Sequence, residues 1–199
     1  MTRIKFCGMT RPEDVDAAVA LGVDAVGFVL WAKSPRAAPV DRLADLVARV
    51  PSTVLPVGVF VQPSAGDVAF AVSAGVRAVQ LHGVAGRPAW LAGCELWMAA
   101  SLADEGLTPD VADDCLLLLD AHDPERHGGT GRTINWTRAA AIAAQRPIML
   151  AGGLHAGNVA DAIRTVRPYG VDVASGIEER PGIKNADAMR DFVARVRQG

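Results

Sequence analysis

Two side chains that close short apolar runs, Cys7 and Asp120, are the first candidates for chemistry in this chain. Asp120 follows four consecutive leucines, Leu116 to Leu119, so its carboxyl starts from a low-dielectric setting. Burial of that kind raises a carboxyl pKa and makes the group a usable general acid. The plainer alternative is an aspartate that caps the next turn. Cys7 ends Lys5-Phe6-Cys7 and precedes Gly8; a free cysteine there is either a small buried hydrophobe or a functional thiol. Arg36, in Ser34-Pro35-Arg36, could clamp a carboxylate through two parallel hydrogen bonds, or simply face solvent. Gln80 and His82 share one strand face by period two, as a core hydrogen-bonding pair or as substrate contacts. Asp172 and Ala174 share a face in the same way, so Asp172 belongs either to the mouth of the fold or to a buried network.

Small residues point to a different chemistry. Gly152-Gly153 and Ser175-Gly176 each follow an apolar run. Glycine lets the backbone approach an anion closely, N–H groups point at it, and a following helix N-terminus adds favourable potential. Either pair alone reads as a tight strand-to-helix turn; two pairs after successive runs read as a phosphate site. Gly128-Gly129-Thr130-Gly131-Arg132 lacks the lysine and the spacing of a Walker motif and reads as a flexible or lid-like loop. The four histidines show no metal-ligand spacing.

The elements that must position these residues form a repeat. Apolar, β-branched runs occur at Ile4 to Cys7, Ala25 to Leu30, Val54 to Val61, Ala78 to His82, Glu95 to Ala100, Cys115 to Asp120, Pro147 to Ala151 and Val171 to Ala174. Stretches of helical period lie between them, at Pro12 to Leu21, Val40 to Val50, Ala65 to Ala74, Thr137 to Ala144, Asn158 to Val166 and Asn185 to Val196. Thr10-Arg11-Pro12-Glu13-Asp14 and Asn185-Ala186-Asp187 carry helix-start signals. The segments after His82 and after Ala100 are short. Runs that are continuously apolar suit strands covered on both faces, as in parallel sheets with helical crossovers. About eight such units predict a single (βα)8, or TIM, barrel spanning residues 1–199, with a doubly wound open sheet as the alternative. In a barrel the chemistry lies at the carboxyl ends of the strands. Cys7, Gln80, His82, Asp120, Gly152, Gly153, Ser175 and Gly176 all fall there.

Composition excludes several classes. Half of the 199 residues are hydrophobic and the net charge is -2, which disfavours both disorder and a phosphate backbone as the main partner. Basic charge is 3 Lys against 17 Arg, read as compositional bias. No stretch approaches the roughly 20 apolar residues that span a bilayer, and the N-terminus lacks the features of a signal peptide. Cys7, Cys94 and Cys115 have no paired spacing, which suits a reducing cytoplasm. Cys94 and Cys115 begin strands and are expected in the core.

In order along the chain stand Lys5-Phe6-Cys7-Gly8-Met9-Thr10, Lys33-Ser34-Pro35-Arg36, Val57-Gly58-Val59-Phe60-Val61 and Val79-Gln80-Leu81-His82-Gly83. They are followed by Leu119-Asp120, Gly128-Gly129-Thr130-Gly131, Leu150-Ala151-Gly152-Gly153-Leu154 with Asn158-Val159, and Asp172-Val173-Ala174-Ser175-Gly176-Ile177-Glu178. This series resembles the phosphoribosylanthranilate isomerase family of tryptophan biosynthesis, from the first strand to the last helix. The resemblance implies an Amadori rearrangement of a phosphoribosyl-anthranilate to an aminodeoxyribulose phosphate, without metal or organic cofactor. It assigns Cys7 as general base, Asp120 as general acid, Arg36 to the anthranilate carboxylate, and the Gly152-Gly153 and Ser175-Gly176 loops to the phosphate. A thiolate is needed for that base; the unperturbed pKa is about 8.5, and Lys5 or a phosphate-site dipole could lower it. Ala32, Asn135 and Asn185 depart from the family pattern, the last putting the cap of the final helix in question. The expected partner is a small phosphosugar, with no nucleic acid and no membrane, and the chain is expected as a monomer or homodimer. Three rivals remain: the histidine-pathway isomerase, disfavoured by Cys7 where that family would carry aspartate; a non-catalytic phosphosugar-binding barrel; and a Schiff-base aldolase through Lys5, which reads better as a core-network lysine.

Overall fold

The computed structural model describes residues 1–91, 93–103, 106–108, 111, 114–120 and 135–199. Among them one sheet is built from Arg3–Cys7 (β1), Ala25–Val29 (β2), Leu55–Val61 (β3), Ala78–His82 (β4), Glu95–Ala103 (β5), Gly106–Thr108 (β6), Leu116–Asp120 (β7), Ile148–Leu150 (β8) and Gly170–Val173 (β9). All of these strands except β6 run parallel, in the cyclic order β1, β2, β3, β4, β5, β7, β8, β9 and back to β1. The β4–β5 and β9–β1 pairings close the ring, which an open doubly wound sheet would leave apart. The fold is the closed parallel barrel that the repeat predicts. Parallel neighbours require crossovers, and helices supply most of them: Pro12–Ala20 (α1), Leu43–Val47 (α2), Ala65–Ser73 (α3), Trp136–Ala143 (α4), Val159–Val166 (α5) and Ala186–Gln198 (α6).

Period-two alternation inside the apolar runs sorts each strand into two faces. Ile4, Phe6, Val79, Leu81, Leu117, Leu119, Val171 and Val173 join the layer beneath the helices; there Phe6 meets Phe192 of α6 edge-on, with ring centroids 6.0 Å apart. Each fully buried leucine or phenylalanine of that layer contributes roughly 1.5–3 kcal/mol. Cys7, Val57, Val59, Trp97, Ala99, Leu118 and Met149 point the other way and pack inside the barrel. Lys5, Gln80 and Asp172 fall on that same inward face and are buried.

Local chemistry explains where elements differ from expectation. The helix expected over Val40 to Val50 is a turn of 3-10 geometry, Val40–Arg42, followed by α2. Arg42 sits at φ -111° and ψ 3°, outside the helical region, and Pro51 disfavours helix at the residue before it. At α1 the cap position is Arg11, with Pro12 at the first turn; Thr10 instead donates its hydroxyl to the Gly182 carbonyl. Asn185 accepts from the Asp187 and Ala188 N–H groups at 3.0 Å each, so the last helix is capped as well by asparagine as by aspartate. Asn135 caps α4 in the same way through the Arg138 N–H. Past Ala100, β5 continues to Ala103 and the chain folds back as antiparallel β6. After β9 a second hairpin forms from Glu178–Arg180 (β10) and Ile183–Lys184 (β11). Cys94 and Cys115 are half-buried at the core's edge rather than inside it. The Gly128-Gly129-Thr130-Gly131-Arg132 loop lies outside the described residues.

Candidate active site

The carboxyl ends of the barrel strands open into a cleft of about 430 Å³, a volume suited to a small metabolite. Cys7 from β1, Gln80 and His82 from β4, Asp120 from β7 and Asp172 from β9 all line it, together with Arg36 from the loop after β2. Trp31, Val59 and Leu118 supply apolar wall, and Lys33 and Pro181 stand at its edge. Six residues singled out from the sequence thus share one cavity, although they are spread over more than a hundred positions.

Beneath the cleft the strand faces bring charges together. Lys5 Nζ donates to Gln80 Oε1 at 2.9 Å and to Asp172 Oδ1 at 3.0 Å, and lies 5.8 Å from the centre of the Trp97 ring. An ammonium only donates, so Gln80 must present its oxygen to Lys5 and its amide N–H to His82 Nε2, which stands 2.8 Å away. Nε2 of His82 is then an acceptor, and the imidazole carries its proton on Nδ1. A single chain of polar contacts therefore fixes three cleft residues, Asp172, Gln80 and His82, from one buried lysine. Burial on its own would push the Lys5 ammonium down; Asp172 and Cys7 outweigh it, and its pKa stands above the ordinary lysine value.

Burial also pushes the Cys7 thiol up, with Lys5 and Lys184 pulling against it and Asp172 adding to it, and the balance lies above the ordinary thiol value. The expected pull from Lys5 exists, but desolvation wins. Cys7 rests as a neutral thiol near pH 7, not as a thiolate.

Arg36 crosses the end of β1 beside this thiol. Gly8 has φ +77°, and a Cβ there would lie 3.1 Å from Arg36 Cδ, so only glycine lets the arginine stem lie flat. The guanidinium is held by Glu178, with Nε 3.0 and 3.1 Å from its two oxygens and Nη2 2.8 Å from Oε2. Glu178 also accepts from Lys184 Nζ at 3.0 Å and from the Gly182 N–H at 3.2 Å. Lys184 reaches on to the Cys7 carbonyl at 2.6 Å and the Ala174 carbonyl at 3.2 Å. Burial pushes this ammonium down and Glu178 only partly offsets it.

Gly152 and Gly153 turn the chain after β8, and Ser175 and Gly176 lie in the 3-10 turn after β9. A Cβ on Gly176 would run into the Leu154 carbonyl oxygen, so the two loops are stacked backbone on backbone. None of the four lines the cleft, although Ala174, next to Ser175 in the chain, does. They adjoin it as a separate small-residue shelf.

Glu178 and Lys184 had no role in the sequence reading. A signal for the lysine was available: the chain has 3 Lys against 17 Arg. Where arginine fills nearly every basic position, a remaining lysine marks a place that needs a compact ammonium. Lys5 and Lys184 are buried, and Lys33 lines the cleft.

Residues 4–195 match the family model described as N-(5'phosphoribosyl)anthranilate (PRA) isomerase. The N-(5'-phosphoribosyl)anthranilate isomerase of Chromohalobacter salexigens is 45% identical over 202 residues, covering 98% of this chain and 94% of that protein. That of Pelobacter propionicus is 42% identical, covering 97% and 94%. Among solved structures, phosphoribosyl anthranilate isomerase from Thermotoga maritima superposes with a TM-score of 0.87 at 32% identity, over 100% of both chains. A phosphoribosyl anthranilate isomerase in complex with reduced 1-(o-carboxyphenylamino)-1-deoxyribulose 5-phosphate superposes with a TM-score of 0.83 at 30% identity, again over 100% of both chains.

Proposed function

Since the chain belongs to the N-(5'-phosphoribosyl)anthranilate isomerase family, we propose a division of labour among its cleft residues. The reaction is the conversion of N-(5-phosphoribosyl)anthranilate to 1-(2-carboxyphenylamino)-1-deoxyribulose 5-phosphate in tryptophan biosynthesis. Ring opening needs a proton on the ribose ring oxygen as its bond to C1 breaks, which leaves a protonated Schiff base. Loss of the C2 proton gives an enolamine, and tautomerisation gives the ketone. Two groups with opposite protonation needs are required, one on each side of the sugar.

Asp120 is the acid and Cys7 the base. Asp120 gives its proton to the ring oxygen, and the Cys7 thiolate removes the C2 proton. In tautomerisation Cys7 returns that proton to C1 while the 2-hydroxyl proton goes to Asp120, so the enzyme ends as it began. Arg36 takes the anthranilate carboxylate. The backbone N–H groups of Gly152, Gly153, Ser175 and Gly176 take the phosphate. Gln80 and His82 contact the sugar. The observation that carries this reading is that Cys7 and Asp120 enter one cleft from separate arcs of the ring, which lets them address a bound sugar from two sides.

Residues 1–199 are one barrel domain in this reading, working as a monomer or homodimer on a small phosphosugar. No helix among the described residues is long and apolar enough to cross a membrane, and three free cysteines suit a reducing cytoplasm. The test is turnover followed by loss of anthranilate fluorescence. Cys7→Ala and Asp120→Ala are each expected to cut kcat by roughly 10²–10⁴ or more, with product affinity nearly intact. Cys7→Asp retains more activity than Cys7→Ala, because a carboxylate can accept the same proton. Near-normal kcat in Cys7→Ala would place the base elsewhere.

A further inference from the structure

We propose that Lys5 is a positioning residue for this reaction, holding Cys7 within reach of ionisation by its charge without touching substrate. This rests on the reading of Cys7 as the base. Lys5 is fully buried and does not line the cleft that Cys7 lines. Its place beside the sulfur is fixed by the sheet register: Lys5 pairs with Ala25 and Cys7 with Gly27, both inward. A Cβ on Gly27 would lie 2.9 Å from Cys7 Sγ and 3.2 Å from Lys5 Nζ. Sulfur and ammonium thus crowd the same point inside the barrel, and the missing side chain at Gly27 is what admits both.

The charges around the thiol define what Lys5 must do. On β1 itself stands Lys5; β9 contributes Asp172, and β11 contributes Lys184, whose charge Glu178 shares. His82 and Asp120 face it from β4 and β7 across the cleft. Desolvation opposes the thiolate, and Asp172 opposes it too. Lys5 supplies the largest favourable contribution from any charge. Without that ammonium the thiol proton, which leaves through the cleft to water, would be held more tightly still. A lysine whose charge did not act on the sulfur would leave the sulfur's titration where it is.

The experiment reads the thiol directly. In a Cys94→Ser/Cys115→Ser background, the rate of Cys7 alkylation by iodoacetamide is followed against pH, alongside kcat and product affinity. Lys5→Met is expected to raise the alkylation midpoint by about one pH unit or more. It is also expected to cut kcat at neutral pH by roughly tenfold or more, in step with the shift, with recovery as the pH rises, while product affinity stays within about threefold. Asp172→Asn removes the opposing carboxylate and is expected to move the midpoint down, and this variant decides the matter should Lys5→Met not fold. An unmoved midpoint in folded Lys5→Met, or an unmoved or raised one in Asp172→Asn, overturns the role of Lys5 even if Cys7→Ala is inactive. Normal turnover in Cys7→Ala overturns the reading of Cys7 as base, and the role of Lys5 with it.

Discussion

Arg36 meets the cleft with its Nε–Nη2 edge already hydrogen-bonded to Glu178, so in the proposed role a substrate carboxylate would be taken by the remaining edge of the guanidinium. That makes the arginine a fixed fork: one side sets its plane, the other reads the ligand. A lysine has a single point of charge and cannot serve both carboxylates with the same geometry. Arg36→Lys is therefore expected to weaken product analogues that bear the carboxylate by on the order of 1–3 kcal/mol, and to leave analogues lacking it unchanged. Titration calorimetry with the two analogues separates the cases, and equal losses for both would sink the assignment. At this scale the sequence was only half legible. Arg36 stood out beside Ser34-Pro35, but Glu178, which fixes it, is 142 positions away. A partner brought in by the closing of a barrel leaves no local mark.

Strands and loops set where these side chains can go. The inward set (Cys7, Gln80, His82, Asp120 and Asp172) was legible because each ends or nearly ends an apolar run, and period two fixes the face once the fold is known. Strands β6, β10 and β11 were not: each is two or three residues long and lies outside an apolar run of the kind that marks the equally short β8. The shelf proposed to hold the phosphate is where element geometry can be tested. Gly176 is stacked on the Leu154 carbonyl, which leaves no room for a side chain between the loops after β8 and β9. Gly176→Ala forces them apart at the cost of roughly 1–3 kcal/mol of stability, the usual scale for overpacking. The expected kinetic result is a KM raised about tenfold or more with kcat at saturation little changed, since about 1.4 kcal/mol of lost phosphate binding suffices for that factor. Steady-state kinetics and a urea melt measure both. A destabilised variant with unchanged KM would move the phosphate off this shelf.

A few titrating groups of the molecule, Cys7, Lys5 and Lys184 among them, are buried, which ties their ionisation to the stability of the fold. Cys7 has a higher pKa in the folded chain than in the unfolded one, because burial disfavours the thiolate more than Lys5 and Lys184 favour it. Below about pH 8.5 both states hold the thiol proton and Cys7 contributes nothing to the pH dependence. Above it the unfolded chain releases that proton first, so the native state binds more protons and stability falls as pH rises, until the folded pKa is passed. Lys5, also raised, acts with the same sign, but in a window that opens only above the ordinary lysine value. Lys184, lowered by burial, acts in the opposite sense below that value. Total stability therefore mixes these contributions, whereas the difference between the parent chain and Cys7→Ala reads Cys7 together with its coupling to Lys5 and Lys184. The cavity left by alanine costs the same at every pH, so it sets only the offset. The expected result of urea unfolding is that the parent's advantage is constant between about pH 7 and pH 8, then shrinks by up to about 1.4 kcal/mol per pH unit toward pH 10. A difference that stays flat across that range would mean that Cys7 ionises alike in both states, and that the barrel interior does not hold its proton.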